Sequence, residues 1–347
     1  LTVPPVSVLP VADRPAAAQA LLPPAPPRIV GPDGLPLLGR HAGSLQGCDW
    51  HRLAPPYRHG APWRFLHHKR WHYVALSAPE MFCAVALVDL GWFTTCFAWA
   101  FERTEGDMLA NFAQDGWPGR LSGRLADDGL GISRFARAGV TIELGPDGLA
   151  LRSPWLEVDA AFGPAAAPAL VAAGLVPGGG VHATQKSGCL ALSGEVRTWR
   201  GEHPLAGGTA SIDYSNGLLP RETAWRWASA HDGDLGFNLG TGYFGANENA
   251  LWLDGALHPL AAARFLHDHQ DPMAPWRLFT EDDCLDLVFT PQAARREERR
   301  LRSARIAASR YVQPFGTYSG WVRATSDAPK RMVAQLAGVT EQHFARW

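Results

Sequence analysis

Val140-Thr141-Ile142-Glu143-Leu144-Gly145-Pro146-Asp147-Gly148-Leu149-Ala150-Leu151-Arg152-Ser153 alternates apolar and polar residues on both sides of a Gly-Pro-Asp-Gly break. Alternation with period two puts every second side chain on one face of an extended chain. Proline presets φ and glycine accepts positive φ, so the break reads as a tight turn. The stretch is a β-hairpin, and its pattern recurs along the chain.

Upstream, residues 70–76 alternate aromatic and polar residues, and residues 81–90 and 94–101 are apolar runs. Short strands are expected near residues 119–124, 131–135 and 156–162, with Asp128-Gly129 as a further turn. A second set is expected at 181–192, 208–214, 222–229, 235–239, 250–253, 256–260, 276–280 and 285–290. Asp254-Gly255 is a two-residue hairpin turn between two of these. Residues 160–176 are Ala-rich but contain Pro164 and Pro168, so a loop or short helix is expected there. Residues 292–310 are rich in Arg and Glu, which suits either a helix with i,i+4 pairs or a strand with its arginines toward water. The strand is favoured because its surroundings are strand-rich. The class is therefore all-β and antiparallel. No G-x-G-x-x-G, P-loop or G-x-S-x-G pattern is present to suggest an α/β enzyme.

With 347 residues the chain is long for one core, and two halves are expected, divided near residues 201–207. This gives a Pro/Ala-rich extended arm at 1–30, a first domain at 31–204 and a second at 205–347. Composition is globular, with 46% hydrophobic and 19% charged residues. The formal net charge of −1 supplies no field that would attract nucleic acid. No apolar run reaches eighteen residues, so no integral membrane segment is expected. Five cysteines without C-x-x-C spacing read as buried thiols rather than a disulfide or zinc framework, which points to the cytoplasm.

The segment from Ile212 to Ala228 is the densest in chemically useful residues. On a strand, Thr223, Trp225 and Trp227 share one face, and the two indoles form an apolar wall. Beside such a wall the Asp213 carboxyl would be harder to ionise and would suit proton donation, with the Tyr214 hydroxyl close by. The alternative is that Asp213 is held ionised by a cation, Arg221 or Lys186, and is structural. Asn216-Gly217 reads as a turn. Asn238 and Glu248 flank a glycine-rich connection of the kind that carries binding residues at a barrel mouth. His182, Thr184 and Lys186 share a face in alternation, and Trp71 belongs to the first alternating strand. His68 and His72 share a face with Arg70 but lack a third ligand nearby, so no metal is expected.

The stretches Lys69-Arg70-Trp71, Thr184-Gln185-Lys186, Ser193-Gly194-Glu195-Val196, Asp213 to Trp227, Asn247-Glu248-Asn249, Gln313-Pro314-Phe315-Gly316 and Glu341 to Trp347 together resemble the bacterial domain-of-unknown-function family 2804. More remotely, the chain is similar to the hydroxyneurosporene synthase and AttH group. That resemblance implies two lipocalin-like antiparallel β-barrel halves with few short helices. It also implies an aromatic cavity in which an acidic residue protonates an apolar substrate. The expectation is an enzyme acting on an isoprenoid or lipid-like molecule by acid-assisted hydration, isomerisation or cyclisation, without a cofactor. Asp213 and Tyr214 would be catalytic. Trp71, His182, Lys186, Arg221, Trp225, Trp227, Asn238 and Glu248 would bind substrate. The alternative is a non-catalytic carrier of a hydrophobic small molecule.

Overall fold

The computed structural model describes residues 22–117, 121–301 and 307–347. Two antiparallel sheets make up the fold, one of fourteen strands and one of nine. The Gly145-to-Gly148 hairpin forms as read, joining Val140–Gly145 to Gly148–Arg152. Asp254 and Gly255 both take positive φ in the turn that joins Ala250–Leu253 to Ala256–Pro259, the left-handed geometry that matches strand twist. The only helices among the described residues are Ala61–His67 and a single 3-10 turn at Trp50–Arg52. None is long and apolar enough to cross a membrane.

In the first sheet the main path starts with Asp107–Gly116, Thr94–Glu102, Met81–Asp89 and His68–Ser77. It continues through Gly208–Leu218, Gly180–Thr198 and Glu157–Ala165, then the 140–152 hairpin, Ser133–Arg137 and Gly123–Arg124. Its ends approach one another. Thr94 donates to the Trp117 carbonyl at 2.7 Å, and the Trp117 N–H donates to Ser122 at 3.0 Å. The sheet is thus a nearly closed barrel. Its interior is packed by Val74, Leu76, Val85, Leu87, Ile142, Leu149 and neighbouring aliphatics, each almost wholly buried.

The second sheet has Leu235–Gly242, Glu222–Asp232, Arg331–Arg346, Ala307–Val322 and Leu285–Leu301 as its central strands. It curves as a half-barrel. One face of it is packed by Phe237, Leu251, Trp276, Leu287, Phe289 and Tyr318. Both sheets therefore spend one face on a packed core. What remains is the outer face of each.

Those outer faces meet. Phe82, Trp99 and Phe101 of the first sheet pack on Phe315 of the second, with Phe82 and Phe315 ring centroids 4.4 Å apart. Tyr73 meets Trp227 edge-on at 5.4 Å, and Trp71 stacks on Trp225 at 6.2 Å. Burying an aromatic side chain of this size contributes roughly 2–3 kcal/mol, so this seam holds the halves together.

Several expectations need correction. Gly208–Leu218, read as opening the second half, instead lies between His68–Ser77 and Gly180–Thr198 in the first sheet. The change of sheet therefore falls between Leu218 and Glu222, beyond residues 201–207. Asn216-Gly217 is not a turn but part of that strand. Gly217 is needed there because a Cβ would lie 2.4 Å from the His182 ring. Residues 160–176 are strands, not a loop or helix: Glu157–Ala165 and Leu170–Val176. A register shift between Phe162 and Ala165 accommodates Pro164. The strand reading of 292–310 holds for the described residues, and 302–306 lie outside them. The strand near 119–124 is shortened to Gly123–Arg124, with 118–120 also outside. The described end of the arm is docked, since Ile29 and Val30 are buried in a cluster with Leu45, Trp50 and Val171. Residues 1–21 lie outside the described part.

Candidate functional site

At the Trp71/Trp225 end the two sheets separate and enclose a cavity of about 200 Å³. Its walls are the outer faces of both sheets. Tyr73, Val88 and Phe97 come from the first, and Trp225, Trp227 and Tyr311 from the second. It lies between the halves, not inside either barrel, because both interiors are already filled.

Alternation decides which side chains reach it. In His68–Ser77, Trp71 and Tyr73 face the second sheet, while Val74 and Leu76 face the barrel core. In Glu222–Asp232, Trp225 and Trp227 face the cavity, and Ala228 and Ala230 face the other way. The shared face of the two tryptophans is thus present, on the outside of its sheet.

Asp213 lines the cavity directly across from Tyr73 in the ladder, but not as a lone acid. Lys186, its cross-strand partner, donates to it at 2.5 Å and reaches Glu248 at 2.8 Å. Ser215 adds a 3.3 Å hydrogen bond to the other Asp213 oxygen. The Lys186 side chain is 5% exposed. Burial alone would lower its pKa, but the two carboxylates outweigh burial and hold it above the usual value. Burial raises the Glu248 carboxyl, Lys186 counteracts, and the Asp213 charge adds to the rise. Gly240 makes room for this carboxyl, since a Cβ there would lie 2.1 Å from a Glu248 oxygen.

The lone acid is Glu341, which the sequence reading did not single out. It lies on Arg331–Arg346, directly opposite Trp227 in the ladder. Trp225 Nε1 donates to one of its oxygens at 2.8 Å and Gln313 Nε2 to the other at 3.0 Å. No cation pairs with it among the described residues. Burial pushes its carboxyl up to about 7, against the lowering effect of Trp225, and the Asp213 charge adds to the rise. His343, two residues on and on the same face, is held near 3 by burial and by Arg295. It is therefore a neutral ring at neutral pH, packed on Trp225 at 4.2 Å and bonded to Ser309 at 2.8 Å.

The other expected residues separate into those at the cavity and those behind it. Trp71, Lys186, Trp225, Trp227 and Glu248 line it with Asp213. Tyr214 does not. As the next residue on a strand it projects from the opposite face, buried with Ala126 and Val181, and donates to the Ala126 carbonyl at 2.9 Å. A catalytic partnership with Asp213 is excluded by that direction. Arg221 does not line the cavity; its guanidinium donates to the Trp347 carbonyl at 2.6 Å. Asn238 is a brace, accepting from Trp227 Nε1 at 2.8 Å and donating to the Glu248 carbonyl at 2.9 Å. His182 sits behind Trp71, stacked at 5.5 Å and held near 3 by burial and by Lys186. His72 is paired with Ser133 at 3.0 Å, away from the cavity. Among the described residues no three His, Cys, Asp or Glu side chains are grouped as a metal site.

Glu341, Gln313, Tyr311 and Arg295 were missed because strand pairing brings them to the cavity from far along the chain. The alternation of Val339, Glu341 and His343 was a visible signal, but only knowledge of the second sheet's pairing turns it toward Trp225 and Trp227.

Comparison with solved structures finds matches at low sequence identity. CghA, solved with Sch210972, is 11% identical, with 80% of this chain and 88% of that chain covered and a TM-score of 0.52. An AttH-type protein from Nitrosomonas europaea is 12% identical over 85% of this chain and 98% of that one, at 0.48. Kievitone hydratase from Nectria haematococca is 10% identical over 85% and 94%, at 0.44. At such identities the likeness concerns the fold alone. No curated protein sequence matches the chain. Residues 29–347 match the family described as Domain of unknown function (DUF2804), and the chain belongs to that family.

Proposed function

We propose that the protein is an enzyme that protonates a carbon–carbon double bond of a small apolar molecule held between the two sheets. The observation that carries this reading is Glu341, a buried carboxyl without a cation, in an aromatic cavity and held near 7. Near neutral pH such a group is partly protonated and is a competent acid. The Glu341 O–H proton goes to one alkene carbon and forms a C–H bond. The π electrons are consumed, and positive charge remains on the neighbouring carbon. The faces of Trp225, Trp227 and Trp71 stabilise that charge. Water then adds to the cation and loses a proton, or the cation loses a proton from an adjacent carbon, or a second double bond attacks it and the new cation loses a proton in turn. These outcomes are hydration, isomerisation and cyclisation. Asp213, hydrogen-bonded to Lys186 at the cavity wall, is placed to take the departing proton, and solvent exchange restores Glu341. The acid role expected for Asp213 thus passes to Glu341. CghA, whose fold is similar, was solved with Sch210972, which is compatible with ligand binding by this fold. The five thiols are all unpaired and buried, which supports a reducing compartment, the cytoplasm.

The ion pairing of Asp213 also favours a second reading, a carrier with no turnover. One experiment separates the two. An organic extract of the purified protein supplies the apolar compound, which is then incubated with wild type and Glu341→Gln in D2O. The expected result is one carbon-bound deuterium per turnover in wild type, with a fall of about 10²-fold or more in the variant. Deuterium uptake unchanged in the variant removes Glu341 from the mechanism. No uptake in either protein leaves the carrier.

A further inference from the structure

Among the described residues, three polar groups at the cavity have no hydrogen-bond partner. The hydroxyls of Tyr73 and Tyr311 and the Nε of Arg295 are buried and make no well-formed hydrogen bond. The residues are 7%, 6% and 4% exposed. Tyr73 lies beside Gln313, and Tyr311 beside Glu341, but neither hydroxyl is in bonding geometry with its neighbour. Arg295 is sandwiched against Phe97, 4.3 Å from guanidinium to ring centroid, and Tyr311, 5.2 Å.

Buried polar groups are almost always satisfied, and leaving one without a partner costs about 1–3 kcal/mol. Three such donors lining one cavity, Tyr73 from the first sheet and Tyr311 and Arg295 from the second, are therefore a recognition feature. All three can donate, and a pure hydrocarbon offers nothing to accept. The charge balance narrows the acceptor further. The cations of the wall are already neutralised: Lys186 by Asp213 and Glu248, Arg295 by Glu297, and Arg299 by Glu297 and Asp115. Among the described residues no surplus positive charge remains to hold a carboxylate or phosphate, and an ionised Glu341 would repel one.

We infer that the molecule bound between the sheets is neutral and oxygenated, with a carbonyl or comparable acceptor oxygen held by Tyr73, Tyr311 and Arg295 next to Glu341. This rests on the reading of the cavity as an apolar binding site.

The test uses two rigid probes of nearly equal shape, trans-chalcone, with an enone between its rings, and trans-stilbene, with the alkene alone. Binding to the full-length protein is followed by quenching of the cavity tryptophans and by calorimetry. Wild type is expected to bind chalcone about tenfold more tightly than stilbene. Tyr73→Phe and Tyr311→Phe are expected to reduce that preference to about twofold or less, with stilbene affinity unchanged. Neither variant is expected to melt below wild type, because each loses a hydroxyl that the protein does not satisfy.

Equal binding of the two probes by wild type would overturn oxygen recognition and leave the apolar cavity reading intact. A fall of several degrees in melting temperature in both variants would show that the hydroxyls serve the fold, and would overturn the inference as well. Failure of both probes to bind would count against the apolar site itself, and the inference would fall with it.

Discussion

Trp99 of the first sheet donates its indole N–H to the Gln313 carbonyl oxygen of the second at 3.0 Å. Indole nitrogen is only a donor, so this bond fixes which end of the Gln313 amide faces which way. The amide NH2 is left to face Glu341, to which it donates at 3.0 Å. A contact between sheets thus orients a hydrogen bond to the candidate acid.

Gln313→Leu is expected to strand the Trp99 N–H and remove one donor from Glu341. The cost is about 1–3 kcal/mol in urea unfolding for the orphaned indole. The pH at which activity falls is expected to move upward, since a donor that favours the carboxylate is gone. Unfolding unchanged within about 0.5 kcal/mol would show that the Trp99–Gln313 bond contributes nothing net.

Lys186→Met leaves Asp213 and Glu248 facing each other in a buried site without their cation. Breaking a buried pair in this way typically costs about 3–5 kcal/mol. Burial and the Asp213 charge raise the Glu248 carboxyl, so protonation relieves much of the repulsion in acid. The deficit against wild type is therefore expected to be smaller at pH 5 than at pH 8 in denaturant titrations. A deficit independent of pH would argue that lost packing, not charge, is responsible.

Glu341 makes stability depend on pH in an unusual direction. Its folded value of about 7 lies above the ordinary 4.5, so the folded chain holds a proton that the unfolded chain releases. The wild type therefore loses stability as pH rises through this window, by about 3 kcal/mol in full. Glu341→Gln has no such penalty. Its stability relative to wild type is expected to improve by about that amount between pH 5 and pH 8, and a flat difference would refute the buried-acid assignment. The buried histidines His72, His182, His231 and His343, each near 3, act oppositely. The unfolded chain protonates them near 6.5, so stability present above that pH is lost as pH falls, and the curve is expected to peak near neutrality. Activity is expected to decline above about pH 7, as the donor loses its proton.

Asn238→Leu removes the acceptor of the Trp227 N–H and the donor to the Glu248 carbonyl. The orphaned groups cost about 1–3 kcal/mol. Trp227 should become more mobile, read as increased acrylamide quenching in the absence of ligand. Quenching equal to wild type would show that Phe315 and Tyr73 suffice to hold the indole.

The strands, the two hairpin turns and the common face of Trp225 and Trp227 were legible in the sequence, because alternation and turn chemistry are local. The Lys186–Asp213 pair was within reach for the same reason, since both residues fall on expected strands. Tyr214 was misplaced where a local rule went unused: adjacent strand residues face opposite ways, and the Asn216-Gly217 turn reading hid the strand there. Glu341, Tyr311 and Arg295 were illegible for a different reason. Alternation tells which residues share a face but not which face lies against another sheet. Here the faces that meet are the outer ones.

A ligand chamber made from the backs of two independently packed bodies has a practical property. Its apolar lining lies outside the two packed cores, so exchanging one of those side chains opens neither core. Its breadth is set by the gap at which the bodies rest, and the Phe82–Phe315 contact line helps to set that gap. Bulkier or smaller side chains along that line would widen or narrow the chamber as a unit, and so retune the size of guest it admits while Glu341 keeps its place.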